Sequence, residues 1–373
     1  MIVHKPKVID LFAGVGGLSL GAARAGFEVA GAVELDRIAV TTHALNFPST
    51  RHIDTDVGAL AGSSLLQQCG LRAGEVAGLI GGPPCQGFSE IGKKNAADPR
   101  NQLLGHFFRL VSEIRPAFFI AENVPGVLAE RNSDVVQAAL ARVPRHYVLL
   151  DPTLLVASTF GAATTRKRCF FVGFDPTQMD DLTDDIFVPG AQVIATTVGD
   201  AFAGLPSVRA DWGTEQQSWR RVGRMPDTFF HRSAQERVPD NVGEPTALER
   251  YTAKGEVSGC FGTVHEEATV ERFRKLRPGA KDPVSRAMRL SRDGLCPTLR
   301  AGTGAERGSF QAVRPIHYGS PRVITPREAA RIQGFPDWFT FHPTKWHSFR
   351  QIGNSVSPLL AESVLAAIKT KLR

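Results

Sequence analysis

Apolar runs and polar breaks alternate regularly over the first 174 residues. Short apolar stretches lie at 7–12 (Lys-Val-Ile-Asp-Leu-Phe), 28–33, 76–80, 117–121 and 148–156. Each has the length of a buried strand. Helical spacing falls between them, at 18–25 and at 101–114, where Leu103, Leu104, Phe107, Leu110, Val111 and Ile114 share one face. Nearly continuous apolar strands separated by helices predict an α/β fold with a doubly wound, mostly parallel sheet. From Asp175 the pattern breaks. Asp180, Asp181, Asp184 and Asp185 make a linker-like acidic run, and residues 205–320 show no steady alternation. Residues 327–333 predict a short helix opened by Pro326. Residues 359–372 predict an amphipathic helix returning to the first domain. The expected organisation is therefore a first domain at 1–174, a second, smaller, irregular domain at 175–348, and a returning C-terminal segment at 349–373.

In such a sheet, ligands gather outside the carboxyl ends of the strands, so the residues there are the candidates for chemistry. The first strand runs into Ala13-Gly14-Val15-Gly16-Gly17, a turn whose amides can approach a ligand at a helix N-terminus. The second ends in Glu34, 20 positions after Gly14. A carboxylate there suits the two hydroxyls of a ribose, and equally suits the start of a helix. The strand at 76–80 is stopped by Gly81-Gly82-Pro83-Pro84 and followed at once by Cys85. A thiol on that loop is a candidate nucleophile, although a lone cysteine is commonly a small buried hydrophobe. Glu122 tips the strand at 117–121, and Arg166 and Arg168 lead into the apolar run at 169–173.

Charge adds a partner class. The chain carries a formal net charge of +7 with a pI of about 9.3, which suits a polyanion. Residues 205–320 hold sixteen arginines, three lysines and fourteen acids, so most of the excess lies there. Arg272, Arg274, Lys275 and Arg277 cluster, and Arg286, Arg289, Arg292 and Arg300 follow. Arginine reads guanine edges and binds phosphate, and it also makes ordinary salt-bridged surface. Lys93 and Lys94, on the polar loop after Cys85, can meet phosphates or simply be solvated. The five cysteines are widely spread with no metal-ligand spacing, which predicts reduced thiols in a cytoplasmic protein and no metal. No stretch approaches the roughly 20 apolar residues of a membrane span, and Met1 to Lys7 lacks a signal-peptide core.

Gly81-Gly-Pro-Pro-Cys85-Gln86-Gly-Phe-Ser89 resembles the Pro-Cys catalytic loop of DNA (cytosine-5)-methyltransferases. Asp10-Leu-Phe-Ala-Gly-Val-Gly-Gly17 looks like the S-adenosylmethionine-binding turn of that family. Glu122-Asn-Val is similar to its Glu-Asn-Val motif, and Phe160-Gly to Arg168 to its Tyr-Gly-x-Pro-Gln-x-Arg-x-Arg motif. There Phe160, Ala163 and Thr164 replace the usual Tyr, Pro and Gln. Pro326 to Pro336 and Gln351 to Pro358 resemble the family's ninth and tenth motifs, and the pieces follow the family's order. The resemblance implies S-adenosylmethionine as cofactor, with Phe12 on the adenine, Glu34 and Leu35 at the ribose, and Asp56 and Val57 in the adenine site, where Asp54 is a rival. Ala13, Gly14, Gly16, Gly17, Pro84, Leu103, Asn354 and Val356 are implied to complete that pocket. Asn354 also suits a cap on the last helix.

The resemblance further implies double-stranded DNA as substrate, with Gln86, Ser89, Lys93, Lys94, Arg272, Arg274 and Arg300 on it. It implies a monomer, and a restriction endonuclease acting separately. The chemistry fits these residue types. Carbon 5 of cytosine is a poor nucleophile until a thiolate, here Cys85, adds at carbon 6. Glu122 is implied at ring nitrogen 3 and the amino group, Arg168 at the carbonyl oxygen, and Arg166 in support. The base must leave the helix stack. A tRNA cytosine-5 methyltransferase is the alternative, and its Cys-Phe-Thr signature is absent. A nicotinamide or flavin oxidoreductase leaves Cys85 and Glu122 unexplained.

Overall fold

A computed structural model of the protein describes residues 5–84, 102–208, 219–301 and 314–373. Strands β1 (Lys7–Leu11), β2 (Glu28–Glu34), β3 (Arg51–Asp54), β4 (Val76–Gly81) and β5 (Phe118–Asn123) pair in parallel in the order 3-2-1-4-5. β8 (Lys167–Phe174) runs antiparallel beside β5. The stretch at 148–156 forms two short strands rather than one. β6 (Val148–Leu149) and β7 (Thr153–Val156) lie along opposite ends of β8. Asp151-Pro152 separates them, and a proline cannot donate to a sheet ladder. The order reverses between β1 and β4, which places the ligand crevice at their carboxyl ends.

The strands are apolar on both sides because each side meets a different core. Val8 of β1, Phe118 and Ile120 of β5, and Phe170 and Val172 of β8 face one cluster. Ile9, Leu11, Phe119, Ala121 and Phe171, at the alternate positions, face the other. The second cluster is closed by α3 (Gly62–Cys69), α4 (Leu103–Ile114) and α5 (Ser133–Leu140). The first is closed by α1 (Gly17–Arg24) and the C-terminal α11 (Pro358–Lys369). α1 and α11 approach so closely that a Cβ on Gly21 would lie 2.4 Å from that of Ala361.

The first cluster continues into the second half through Phe202, Phe230, Leu290, Cys296, Ile332, Phe335 and Trp338. That half is irregular, as the sequence predicts. Among the described residues it contains α6 (Val198–Phe202), α7 (Pro245–Lys254), α8 (Glu267–Lys275), α9 (Pro326–Ile332), α10 (Lys345–Asn354) and a small ladder of β9 (Arg220–Arg221) with β10 (Glu256–Val257). α9 opens at Pro326 with a reciprocal capping box between Thr325 and Glu328. The acidic run read as linker-like is packed: Leu182, Ile186 and Phe187 are buried in the first cluster, and the Asp180 amide donates to the Lys371 carbonyl at 2.8 Å. No helix of the described residues is long and apolar enough to cross a membrane.

Candidate active site

The turn after β1 has an unusual backbone. Gly14 and Gly16 take positive φ, and so does Phe12, at 59°. A bulky residue there is a genuine outlier, and such strain persists only where its surroundings hold it. Here the Ala13 amide donates to the Val33 carbonyl and the Gly16 amide to the Ala13 carbonyl. Glu34 accepts the Gly14 amide on one oxygen at 2.9 Å, and the Leu35 and Asp36 amides on the other at 2.9 and 2.8 Å. Its carboxylate thus ties the turn to the tip of β2, and it also serves the approach to α2 (Arg37–Asn46). Burial pushes its pKa up, against those three hydrogen bonds.

The surroundings of the turn form a cradle. Among the described residues, its chain neighbours aside, nothing lies within 4 Å of where a Gly14 side chain would begin. Leu35, which follows Glu34 in the chain, is 63% exposed. Phe12 is half-buried, and Leu103 is half-buried at the start of α4. Asp56 is exposed, with one oxygen on the Gly58 amide, and its rival Asp54 is paired with Arg37 at 2.9 Å. Val57 is buried, and Pro84 is exposed. Gly17 joins the two ends of the chain: a Cβ there would lie 2.4 Å from the Val356 carbonyl oxygen. Asn354 closes α10, exposed, while Ser357 holds the N-cap position of α11. Asn354 is therefore not that helix's cap.

The parallel register of Gly81 with Ala121 sets the ends of β4 and β5 side by side. Glu122 is buried there, and its Oε1 lies 2.7 Å from Arg168 Nε. Oε1 is held by this ion pair and has no further hydrogen-bond donor among the described residues. Burial pushes the Glu122 pKa up, and Arg168 and then Arg166 oppose it. A Cβ on Gly82 would stand 2.9 Å from Glu122 Oε2, so any side chain there would displace that carboxylate. The Asn123 side chain donates to the Pro83 carbonyl at 3.3 Å, holding the start of the loop to β5. Cys85, Gln86, Ser89, Lys93 and Lys94 lie outside the described residues.

Arg166 is buried, and its guanidinium donates to the carbonyls of Leu299, Gly353 and Asn354 at 3.3, 2.8 and 3.2 Å. Sequence reading missed this tie of the β8 lead-in to the second half and to α10. Cys296 adds to it, exchanging backbone hydrogen bonds with Ala163 and Thr165 at 2.9 Å each. The basic candidates are not gathered into one free cluster. Arg272 pairs with buried Asp282 at 2.6 Å, and Arg274 pairs with Glu271, while Arg300 is exposed. Among the described residues no group of three or more His, Cys, Asp or Glu side chains is placed to hold a metal ion.

Comparison with known proteins shows the family and the fold. A family model described as C-5 cytosine-specific DNA methylase matches residues 6–370. Type II methyltransferase M.XorII of Xanthomonas oryzae pv. oryzae is 37% identical over 99% of this chain and 86% of its own length. Type II methyltransferase M.DdeI of Desulfomicrobium norvegicum is 31% identical over 97% of this chain and 88% of its own. A crystal structure from E. coli, described as a DNA modification methyltransferase encoded within a prophage, superposes with a TM-score of 0.87. It is 46% identical and covers 98% of each chain. The S. pombe Dnmt2 methyltransferase structure, 16% identical over 98% of this chain and 99% of its own, shares the fold with a TM-score of 0.62.

Proposed function

The chain belongs to the C-5 cytosine-specific DNA methylase family, and from that premise we propose that it methylates carbon 5 of a flipped-out cytosine through a covalent adduct on Cys85. The observation that carries this reading is the Glu122–Arg168 pair. It is buried at the tip of β5, against Gly82, three residues before Cys85. A cytosine out of its stack meets there an acid with a raised pKa and a guanidinium. Glu122 shares a proton with ring nitrogen 3 as negative charge builds, and Arg168 holds the carbonyl oxygen. Cys85 adds as thiolate to carbon 6 and leaves once the carbon-5 proton is lost. A free thiol has a pKa of about 8.5, so the reaction needs an environment that favours the thiolate.

The cradle around Gly14 fits S-adenosylmethionine. Leu35 and Phe12 offer apolar surface, Glu34 and Asp56 offer carboxylate oxygens, and the glycine turn lets backbone come close. When bound, that cofactor supplies the electrophilic methyl group. Residues 175–348 take the choice of DNA sequence, with Arg300 as the exposed candidate nearest the Arg166 tie.

The test is a DNA duplex bearing 5-fluorocytosine at the target. Fluorine cannot leave as a cation, so the adduct should survive a denaturing gel, require S-adenosylmethionine and vanish in Cys85→Ala. Methylation at carbon 5 with no adduct under those conditions defeats the covalent mechanism. Transfer to tRNA in place of duplex DNA would change the substrate and leave the chemistry standing.

A further inference from the structure

Four polar side chains below the cofactor turn are linked end to end, and the reaction uses none of them. Asp10 of β1 is fully buried and accepts from Ser19 of α1, Oγ to Oδ2, at 2.6 Å. Ser19 Oγ lies 3.0 Å from His43 Nε2 of α2. His43 Nδ1 lies 2.8 Å from His52 Nε2 of β3. His43 is buried, whereas His52 is half-buried. The chain thus runs from a carboxylate with no route of its own to water, through two groups that both donate and accept, to a partly exposed ring. Asp10 Oδ1 has no hydrogen-bond partner among the described residues. Phe47 lies against the His43 ring, centroids 4.4 Å apart, and a Cβ on Gly16 would sit 3.0 Å from that ring. The relay is therefore built directly under the glycine turn.

We propose that Asp10, Ser19, His43 and His52 form a proton relay that lets the carboxylate beneath the cofactor turn change charge while every link keeps a partner. With Asp10 ionised, each donor points inward: His52 Nε2–H to His43 Nδ1, His43 Nε2–H to Ser19 Oγ, and Ser19 O–H to Asp10. When a proton enters at His52 Nδ1, each group passes one proton on. His52 gives its Nε2 proton to His43, His43 gives its Nε2 proton to Ser19, and Ser19 gives its proton to Asp10. One proton has been taken up and one negative charge neutralised. Every hydrogen bond has reversed with no heavy atom displaced, and both histidines end neutral with the proton on Nδ1. Each link of the chain keeps its partner in both states, although Asp10 Oδ1 has none among the described residues, which adds to the cost of the charged form.

The electrostatics agree with storage at Asp10 and passage through His43. Burial raises the Asp10 pKa to about 7, the Ser19 hydrogen bond opposes this, and the charge of Glu34 adds to it. Burial, and then His52, hold His43 well below the ordinary imidazole range, so it transmits a proton without keeping one. Burial also lowers His52, with the Thr50 backbone opposing. Some of the other charged groups on the neighbouring elements are held in ion pairs. Arg37 of α2 pairs with Asp54 of β3, and Arg350 of α10 pairs with Asp36 at the head of α2, at 2.9 and 3.4 Å. Because Asp10 and Glu34 feel each other, the charge on Asp10 reaches the pocket. Ser19 and His43 are thus positioning residues for the turn, and their hold reverses with pH. The link to affinity rests on the cofactor reading above.

The test is nitrogen-15 spectroscopy of the full chain with labelled histidine, without cofactor, between pH 5.5 and 8.5. His43 should change from the Nδ1–H to the Nε2–H tautomer as pH rises, remaining neutral throughout. A His43 that keeps one tautomer, or that becomes doubly protonated, overturns the relay. Asp10→Asn should abolish the change, and a tautomer change that survives it also overturns the proposal. If that variant does not fold, the wild-type spectrum still decides. Calorimetry with S-adenosylmethionine should show its Kd rising several-fold from pH 8 to pH 6 in the wild type. S-adenosylhomocysteine, which lacks the sulfonium charge, should show a smaller change. A tautomer switch with the same pH dependence for both ligands overturns the link to affinity. Absence of binding at every pH instead defeats the cofactor reading and leaves the relay standing.

Discussion

Buried charge in the sheet and buried charge in the second half serve opposite ends. In the sheet it is carboxylate: Asp10, Glu34 and Glu122 stand at or near strand tips, each with its pKa pushed up by burial. Asp10 keeps one oxygen without a hydrogen-bond donor among the described residues, and Glu122 Oε1 has only its ion pair with Arg168. In the second half it is arginine, held on several sides. Arg331 binds Asp337 through two nitrogens at 2.8 and 2.5 Å and donates to the carbonyls of Ala201 and Ala203. Arg327 donates to the carbonyls of Ser258, Pro336 and Phe339. Arg322 clasps Glu328 at 2.9 and 2.7 Å, although its Nε has no partner among the described residues. An under-satisfied charge is one the protein holds ready for something else, and a saturated one is a fastener. These three arginines lie beyond residues 205–320, but within that arginine-rich stretch Arg272 is likewise held, by buried Asp282 at 2.6 Å. Arg289 joins the fasteners, donating to carbonyls at the end of α8.

The comparison is tested first where it predicts the largest loss. Glu122→Gln should lower the methyl-transfer rate by roughly 10²–10⁴, the range of general acid–base assistance, with little change in thermal midpoint. Single-turnover kinetics and a melting curve on the same sample check it, and an unfolded variant would make Glu122 a fastener too. Arg331→Met should do the reverse. It strands Asp337 in the core, and breaking one side of a buried pair costs about 3–5 kcal/mol, seen as a large fall in denaturation midpoint. A folded Arg331→Met with altered sequence choice would instead mark Arg331 as a reader of DNA.

Glu34→Ala should weaken S-adenosylmethionine binding about 10–100-fold, since a hydrogen bond to a charged group contributes about 1.5–3 kcal/mol. An unchanged Kd by calorimetry would leave Glu34 only its ties to Gly14, Leu35 and Asp36. The two kinds of carboxylate should also respond oppositely to pH. Burial pushes Asp337 up, but Arg331 and Arg327 more than offset that and hold it below its usual value of 3.8. Its stabilising contribution is present above pH 4 and lost on acidification below it. Asp10, raised from 3.8 to about 7, contributes stability that is present below pH 4 and lost as pH rises through 7. Asp10→Asn should therefore raise the melting temperature more at pH 8 than at pH 4, and Asp337→Asn should lower it more at pH 8 than at pH 3. Smallest of all, Arg274→Ala should change DNA affinity less than twofold at moderate salt, because its partner Glu271 already occupies it. A tenfold loss would restore it to the DNA-binding set.

The sheet, its strand tips and the second half's irregularity were legible in the sequence because they are local. An apolar run of strand length bounded by glycine and proline has few other fates, and a carboxylate ending such a run lands in the crevice. Asp10 did not stand out in the sequence, and its partners could not be read there either. Ser19, His43 and His52 meet it only when β1, α1, α2 and β3 pack together. The same holds for Gly17 against Val356, and for Arg166 reaching the carbonyls of Leu299, Gly353 and Asn354. Whether an arginine is a fastener or a free hand was equally closed to sequence. Arg331 and Arg300 look alike in composition, and only the acceptors that folding brings within hydrogen-bond distance tell them apart. Sequence fixes which groups can donate, accept or carry charge. Tertiary structure decides which of them are already satisfied, because satisfaction depends on neighbours distant along the chain.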